Sequence, residues 1–128
     1  MNTATATQLT PDLVIEQGFE QAVVCHRGGR LPEAEGLYMA ILAAHPQHAD
    51  ANHNLGVLRI AERQYEASLP YFEAAIKSDP TAALYWLSYI EAHLLANKVE
   101  EARVILEHVR RHGLDGPSVE ALAQRACA

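Results

Sequence analysis

Apolar residues recur along the chain at intervals of three and four rather than two, as in Leu55 and Leu58 and then Leu69, Phe72, Ala75 and Ile76. That is the spacing of a helix with one buried face. Breakers divide the pattern. Gly28 and Gly29 are expected to supply left-handed residues that end the first helix, Pro46 and Pro80 follow the helices before them, and Gly113 with Gly116 closes the sixth. Thr10, Pro11 and Asp12 make a helix start: an oxygen that can cap, a proline whose missing N–H costs nothing in the first turn, and an acid at the positive helix end. The pattern predicts helices near 11–27, 32–44, 49–62, 66–78, 82–96 and 99–112, with a seventh opened by Pro117 and running to about 126.

Pro46 and Pro80 stand 34 residues apart, and the same interval relates Leu31, Tyr65 and Val99, then Ala34, Ser68 and Ala102, then Tyr38, Phe72 and Leu106. Each unit of the repeat is two helices. A small residue at 34, 68 and 102 lets the two helices approach closely, and a large one at 38, 72 and 106 fills the seam beside them.

These residues resemble the tetratricopeptide repeat, whose pattern asks for a large residue, Leu-Gly, an aromatic, a small residue, a second aromatic, Ala and a closing Pro. The span 49–82 carries Leu55-Gly56, Tyr65, Ser68, Phe72, Ala75 and Pro80. The span 83–116 carries Trp86, Ala102, Leu106 and Val109, with Leu114 where the closing Pro is expected; 15–48 keeps Ala34, Tyr38 and Pro46 but departs at Gly18, Gln21 and Ala22. The resemblance implies an all-α, right-handed superhelical array of helix-turn-helix repeats. On that reading a flexible leader covers 1–10, three repeats fill 11–116, and a capping helix spans 117–128, with Val119, Leu122, Ala123 and Ala126 on one apolar stripe.

Composition narrows the function. Hydrophobic residues make up 49% and aromatics 6%, which suits aliphatic helix. Sixteen acidic against ten basic residues give a net charge of -6 with no basic face, which argues against nucleic acid. No segment approaches the ~20 apolar residues of a membrane span, and Cys25 and Cys127 form no ligand spacing, so a soluble cytoplasmic protein is expected. No nucleophile, base and orienting group stand at a recognisable spacing, so neither enzymatic activity nor a cofactor is expected. His108 and His112 lie one helical turn apart but read as a solvated face, because no further ligand completes a metal set at comparable spacing. His45 and His48 fall in a turn, Trp86 is expected in the core, Cys25 buried and Cys127 exposed.

In the family resembled, the first helix of each repeat lines a concave face. Carried over by position, that groove holds Glu16, Phe19, Val23 and His26, then Asp50, His53, Asn54 and Val57, then Leu84, Leu87 and Glu91. The resemblance implies a non-enzymatic protein-protein interaction module whose partner is a peptide or helix with an apolar stripe and basic flanks. Phe19, Val57 and Leu87 would anchor the stripe, with side chains free of the helix seams, and Glu16, Asp50 and Glu91 would attract the flanks. Family members that hold an acidic chaperone tail use lysines, an arginine and two asparagines. Of those positions only Asn54 matches, the others being Phe19, Val23, Leu84 and Ser88, so a buried carboxylate would go uncompensated. Two alternatives stand beside this expectation. The stretch Tyr85 to Ala92 with Gly113 to Gly116 resembles the last repeat of bacterial proteins in which such an array precedes a glycosyltransferase or sulfotransferase domain, making this chain a recognition domain; or the array self-associates as a homo-oligomer.

Overall fold

A computed structural model describes residues 10–128, and among them seven helices follow one another with no strand. They are α1 (Pro11–Arg27), α2 (Leu31–Ala44), α3 (Ala49–Ala61), α4 (Tyr65–Ser78), α5 (Ala83–Leu95), α6 (Val99–Arg111) and α7 (Pro117–Cys127). The boundaries fall within one or two residues of those the apolar spacing predicts. The expected leader, apart from Thr10, lies outside the described residues.

Local chemistry accounts for the ends. The Thr10 hydroxyl accepts from the Leu13 N–H at 3.1 Å, capping α1. His48 is more than a turn residue: its Nδ1 accepts from the Ala51 N–H at 3.0 Å and caps α3. Between the helices of each pair the backbone makes one recurring turn. The N–H groups of Arg30, Gln64 and Lys98 reach back to the carbonyls of Cys25, Arg59 and His93 at 2.8–2.9 Å, and the residue before each donor is left-handed: Gly29, Arg63 and Asn97, with φ of 80, 60 and 62°. Gly28, also expected to be left-handed, has φ -80°. Leu114 replaces the closing proline because α6 ends in the same kind of turn, with the Leu114 N–H on the Val109 carbonyl and Gly113 at φ 91°. Pro70 sits inside α4, where a proline ordinarily costs ~3 kcal/mol; buried Leu69, Phe72 and Ala75 hold the helix regardless.

The chain divides into two compact units, Met1–Pro46 and Gln47–Ala128. In the first, α1 packs on α2 around Ala22, Cys25, Ala34 and Tyr38. The Tyr38 ring has no exposure; Phe19 and His26 each lie 6.0 Å from it, and its hydroxyl meets His26 Nδ1 at 3.1 Å.

In the second unit each helix packs on the next, and α3 also touches α5 and α5 touches α7. Ser68, Phe72 and Ala102 are fully buried and Leu106 nearly so, as the 34-residue columns require. Packing is tight at Gly56, where a Cβ would fall 2.6 Å from Phe72 Cε1. The Ser68 hydroxyl, buried in the small column, donates to the Tyr65 carbonyl at 2.6 Å. Val119, Leu122 and Ala126 of α7 join Ile90, Ala102, Leu106 and Val109 in one cluster. Val104 of α6 remains 67% exposed with α7 in place.

Two outcomes test this packing by urea denaturation. Gly56→Ala should lose about 1–3 kcal/mol through overpacking, whereas Gly36→Ala, in mid-α2 with no atom within 4 Å of the new methyl, should gain about 0.5–1 kcal/mol from helix propensity. Deleting 117–128 uncovers Ile90, Leu106 and Val109, so the truncated chain should melt earlier and associate in sedimentation. A truncated chain as stable and monomeric as the intact one would make α7 a mere appendage.

Candidate functional site

The packing columns leave one face of α3, α5 and α7 to other uses. Three polar pairs cross it, each joining one of these helices to the next at nearly the repeat interval. The Tyr85 hydroxyl donates to Asp50, Ser88 Oγ meets His53 Nε2 at 2.8 Å, and Arg125 Nη1 donates to Glu91 at 2.6 Å. Beside them lies a cavity of about 380 Å³ lined by Ile60, Leu87, Ser88, Glu91, Ser118, Ala121, Leu122 and Arg125. Its floor is apolar and its rim carries one ion pair.

Tyr85 is buried, and so is His53. Its Nδ1 lies 3.2 Å from Asn54 Oδ1, so a neutral ring protonated on Nδ1 donates there and accepts the Ser88 O–H on Nε2. Burial holds its pKa below the ordinary 6.5, outweighing the opposing pull of Asn54 and Asp50. Burial, then the bond to Asp50, pushes the Tyr85 phenol well above its usual range. Among the described residues no buried side-chain nitrogen or oxygen lacks a partner.

Several expectations change. His53, expected to line a groove, is buried and serves as a tie between α3 and α5. Val57 and Leu87, expected to be free of packing, each rest on core: Val57 on Leu69, Phe72 and Ala92, Leu87 on the cluster around Ile90 and Leu122. Glu91 is already paired with Arg125 and Asp50 accepts from Tyr85, which weakens the acidic rim. Asn54 is half-buried beside His53, and Leu84, 59% exposed, lies outside the cavity. In the first unit Glu16 is exposed, Phe19 and Val23 are half-buried, and His26 is tied to Tyr38. Trp86, expected in the core, is half-buried: one side packs on the Ile90 cluster and the indole N–H donates to the Pro80 carbonyl at 2.7 Å. Ser118, Ala121, Leu122 and Arg125 were not foreseen as site residues, although Arg125 stands 34 residues after its partner Glu91.

A family model described as tetratricopeptide repeat matches residues 59–126. The fold recurs in solved structures. The Yersinia enterocolitica type III secretion chaperone SycD, in complex with a peptide of the translocator YopD, matches with TM-score 0.75 and 18% identity over 94% of this chain and 91% of that one. The TPR2B domain of yeast Sti1 in a pHsp70 complex matches with TM-score 0.79 and 15% identity over 88% and 95%. PcrH of Pseudomonas aeruginosa, in complex with the chaperone binding region of PopD, gives TM-score 0.73 and 23% identity over 93% and 89%. No curated protein sequence matches the chain.

The burial of His53 sets a pH dependence. The unfolded chain takes up a proton near the ordinary histidine value of 6.5, while folded His53 resists it. Stability from this group is therefore full above about pH 6.5 and falls as the pH drops toward the folded value. His26, also lowered by burial, acts in the same direction. Urea midpoints measured from about pH 7.5 down to 5 should decline, and His53→Gln should flatten that decline; an unchanged slope in the variant would mean that the ring titrates normally.

Proposed function

The chain belongs to the tetratricopeptide repeat family, and we propose that it is a non-enzymatic protein-interaction module that takes an apolar peptide segment on the α3–α5–α7 face of its second unit. The observation that carries this reading is the cavity itself: an apolar floor of Ile60, Leu87 and Leu122 beside polar groups that already satisfy one another. An incoming peptide covers apolar surface there without stranding a buried charge. Ser88 offers a polar atom in the cavity lining for a peptide backbone. On the first unit the same role is proposed for Glu16, Phe19, Val23 and His26. SycD, in complex with a peptide of YopD, and PcrH, in complex with the chaperone binding region of PopD, support a peptide as the class of partner. The Glu91–Arg125 pair shifts the preferred occupant from a basic-flanked segment toward one that is apolar and near neutral over this cavity.

The test is selection of binders from a displayed random-peptide library on the intact chain, followed by affinity measurement on Ala121→Glu combined with Ser118→Glu. Both positions are exposed, so helicity and melting should hold while selected apolar peptides bind about tenfold more weakly or worse, equivalent to ~1.4 kcal/mol. Selected peptides that bind the double variant as well as the parent would move the site elsewhere.

A further inference from the structure

The C-terminal end of α6 carries two exposed histidines four residues apart, His108 in its last turn and His112 as the residue that caps it. Their ring centroids are 4.3 Å apart with planes inclined by 36°. A metal–imidazole bond of ~2.0–2.1 Å added to the ring's own radius puts each centroid ~3.2 Å from a shared ion, so two bonds at a right angle place the centroids ~4.5 Å apart. The observed centroid spacing of 4.3 Å lies close to that value.

The hydrogen bonding also suits a ligand. His112 Nδ1 lies 2.8 Å from the His108 carbonyl; a carbonyl only accepts, so Nδ1 carries the proton and Nε2 keeps its lone pair. A ligating histidine is held by this kind of bond from its other nitrogen. His108 also packs beside Trp86, 5.1 Å away between centroids, and the indole N–H donates in turn to the Pro80 carbonyl. The two imidazoles and Trp86 line a cavity of about 490 Å³ that also reaches Leu114. Among the described residues no three or more His, Cys, Asp or Glu side chains converge on a common point, and the neighbouring Glu107 is paired with Arg111. An ion held here keeps open positions toward the cavity.

We propose that His108 and His112 form a two-point chelate for a divalent transition-metal ion of the class that imidazole prefers, such as nickel(II), copper(II) or zinc(II). Magnesium and calcium are excluded by the same chemistry, since the pair offers no oxygen ligand. The open coordination positions make the bound ion a place where water, or a donor side chain of a docked protein, completes the shell.

Trp86 is the single tryptophan of the chain, so its fluorescence reports directly on an ion bound at His108. The experiment titrates nickel chloride into the intact chain, nickel being a quencher of indole emission that leaves the exposed Cys127 unoxidised. Saturable quenching at one ion per chain is expected. His108→Ala and His112→Ala should each weaken it about tenfold or more with unchanged circular dichroism, and His112→Cys, which returns a donor at that point, should restore it. Magnesium chloride should leave the emission unaltered. Absence of saturable quenching, equal quenching by magnesium, or an affinity untouched by both alanine variants would each overturn the proposal; the last would place the ion on other histidines.

Discussion

The close approach of two antiparallel helices within each pair is the constraint on which the remaining structure rests. The turn at 29, 63 and 97 reverses the chain with one left-handed residue and two backbone hydrogen bonds. The residues at 34, 68 and 102 then have no exposed surface at all. Between α3 and α4 the limit is reached, because Phe72 lies where even a methyl group on Gly56 would stand. Given that separation, Tyr38, Phe72 and Leu106 have only buried positions open to them, and the first helix of each pair turns its other side outward.

How much of this is legible in the sequence follows from the range of each interaction. Helix starts, helix stops and packing columns depend on residues close in sequence or on a strict period, and they emerge as read. The turn conformation is set by the register more than by the residue: Arg63 and Asn97 adopt the left-handed geometry that Gly29 adopts freely, while Gly28 does not. A reading by glycine therefore finds one turn of the three. The site was less legible. Asp50, His53 and Glu91 look like free polar side chains along a helix face, and only the adjacent helix supplies Tyr85, Ser88 and Arg125 to engage them. The repeat pattern does not call for Val57 and Leu87, which makes them look like surface residues; the space between helices nevertheless half-buries each.

A repeat that encodes packing leaves its chemistry to the positions the period does not fix. Solved structures that are 15–23% identical to this chain have its fold, and what each binds is a matter of the side chains on its own faces. In this chain several of those positions are closed upon one another. The pairs across α3, α5 and α7 use up hydrogen-bonding capacity that a polar ligand would otherwise exploit, and they leave apolar surface between them.

That closure has an energetic consequence for recognition. A face whose polar groups are tied to the next helix is held in place before any ligand arrives, so little side-chain entropy remains to be lost on binding. The apolar area available is small, because Val57 and Leu87 are already half covered, and an exposed ion pair such as Glu91–Arg125 contributes only about 0.2–1 kcal/mol. If a peptide docks there as proposed, its affinity comes from shape and from the few groups with spare capacity. Ser88 illustrates the balance: its hydroxyl donates to His53, its oxygen keeps acceptor capacity, and the residue lines the cavity. A backbone N–H laid across it would be satisfied without disturbing the tie between α3 and α5, whereas a carboxylate in the same place would find no cation except one already bonded to Glu91.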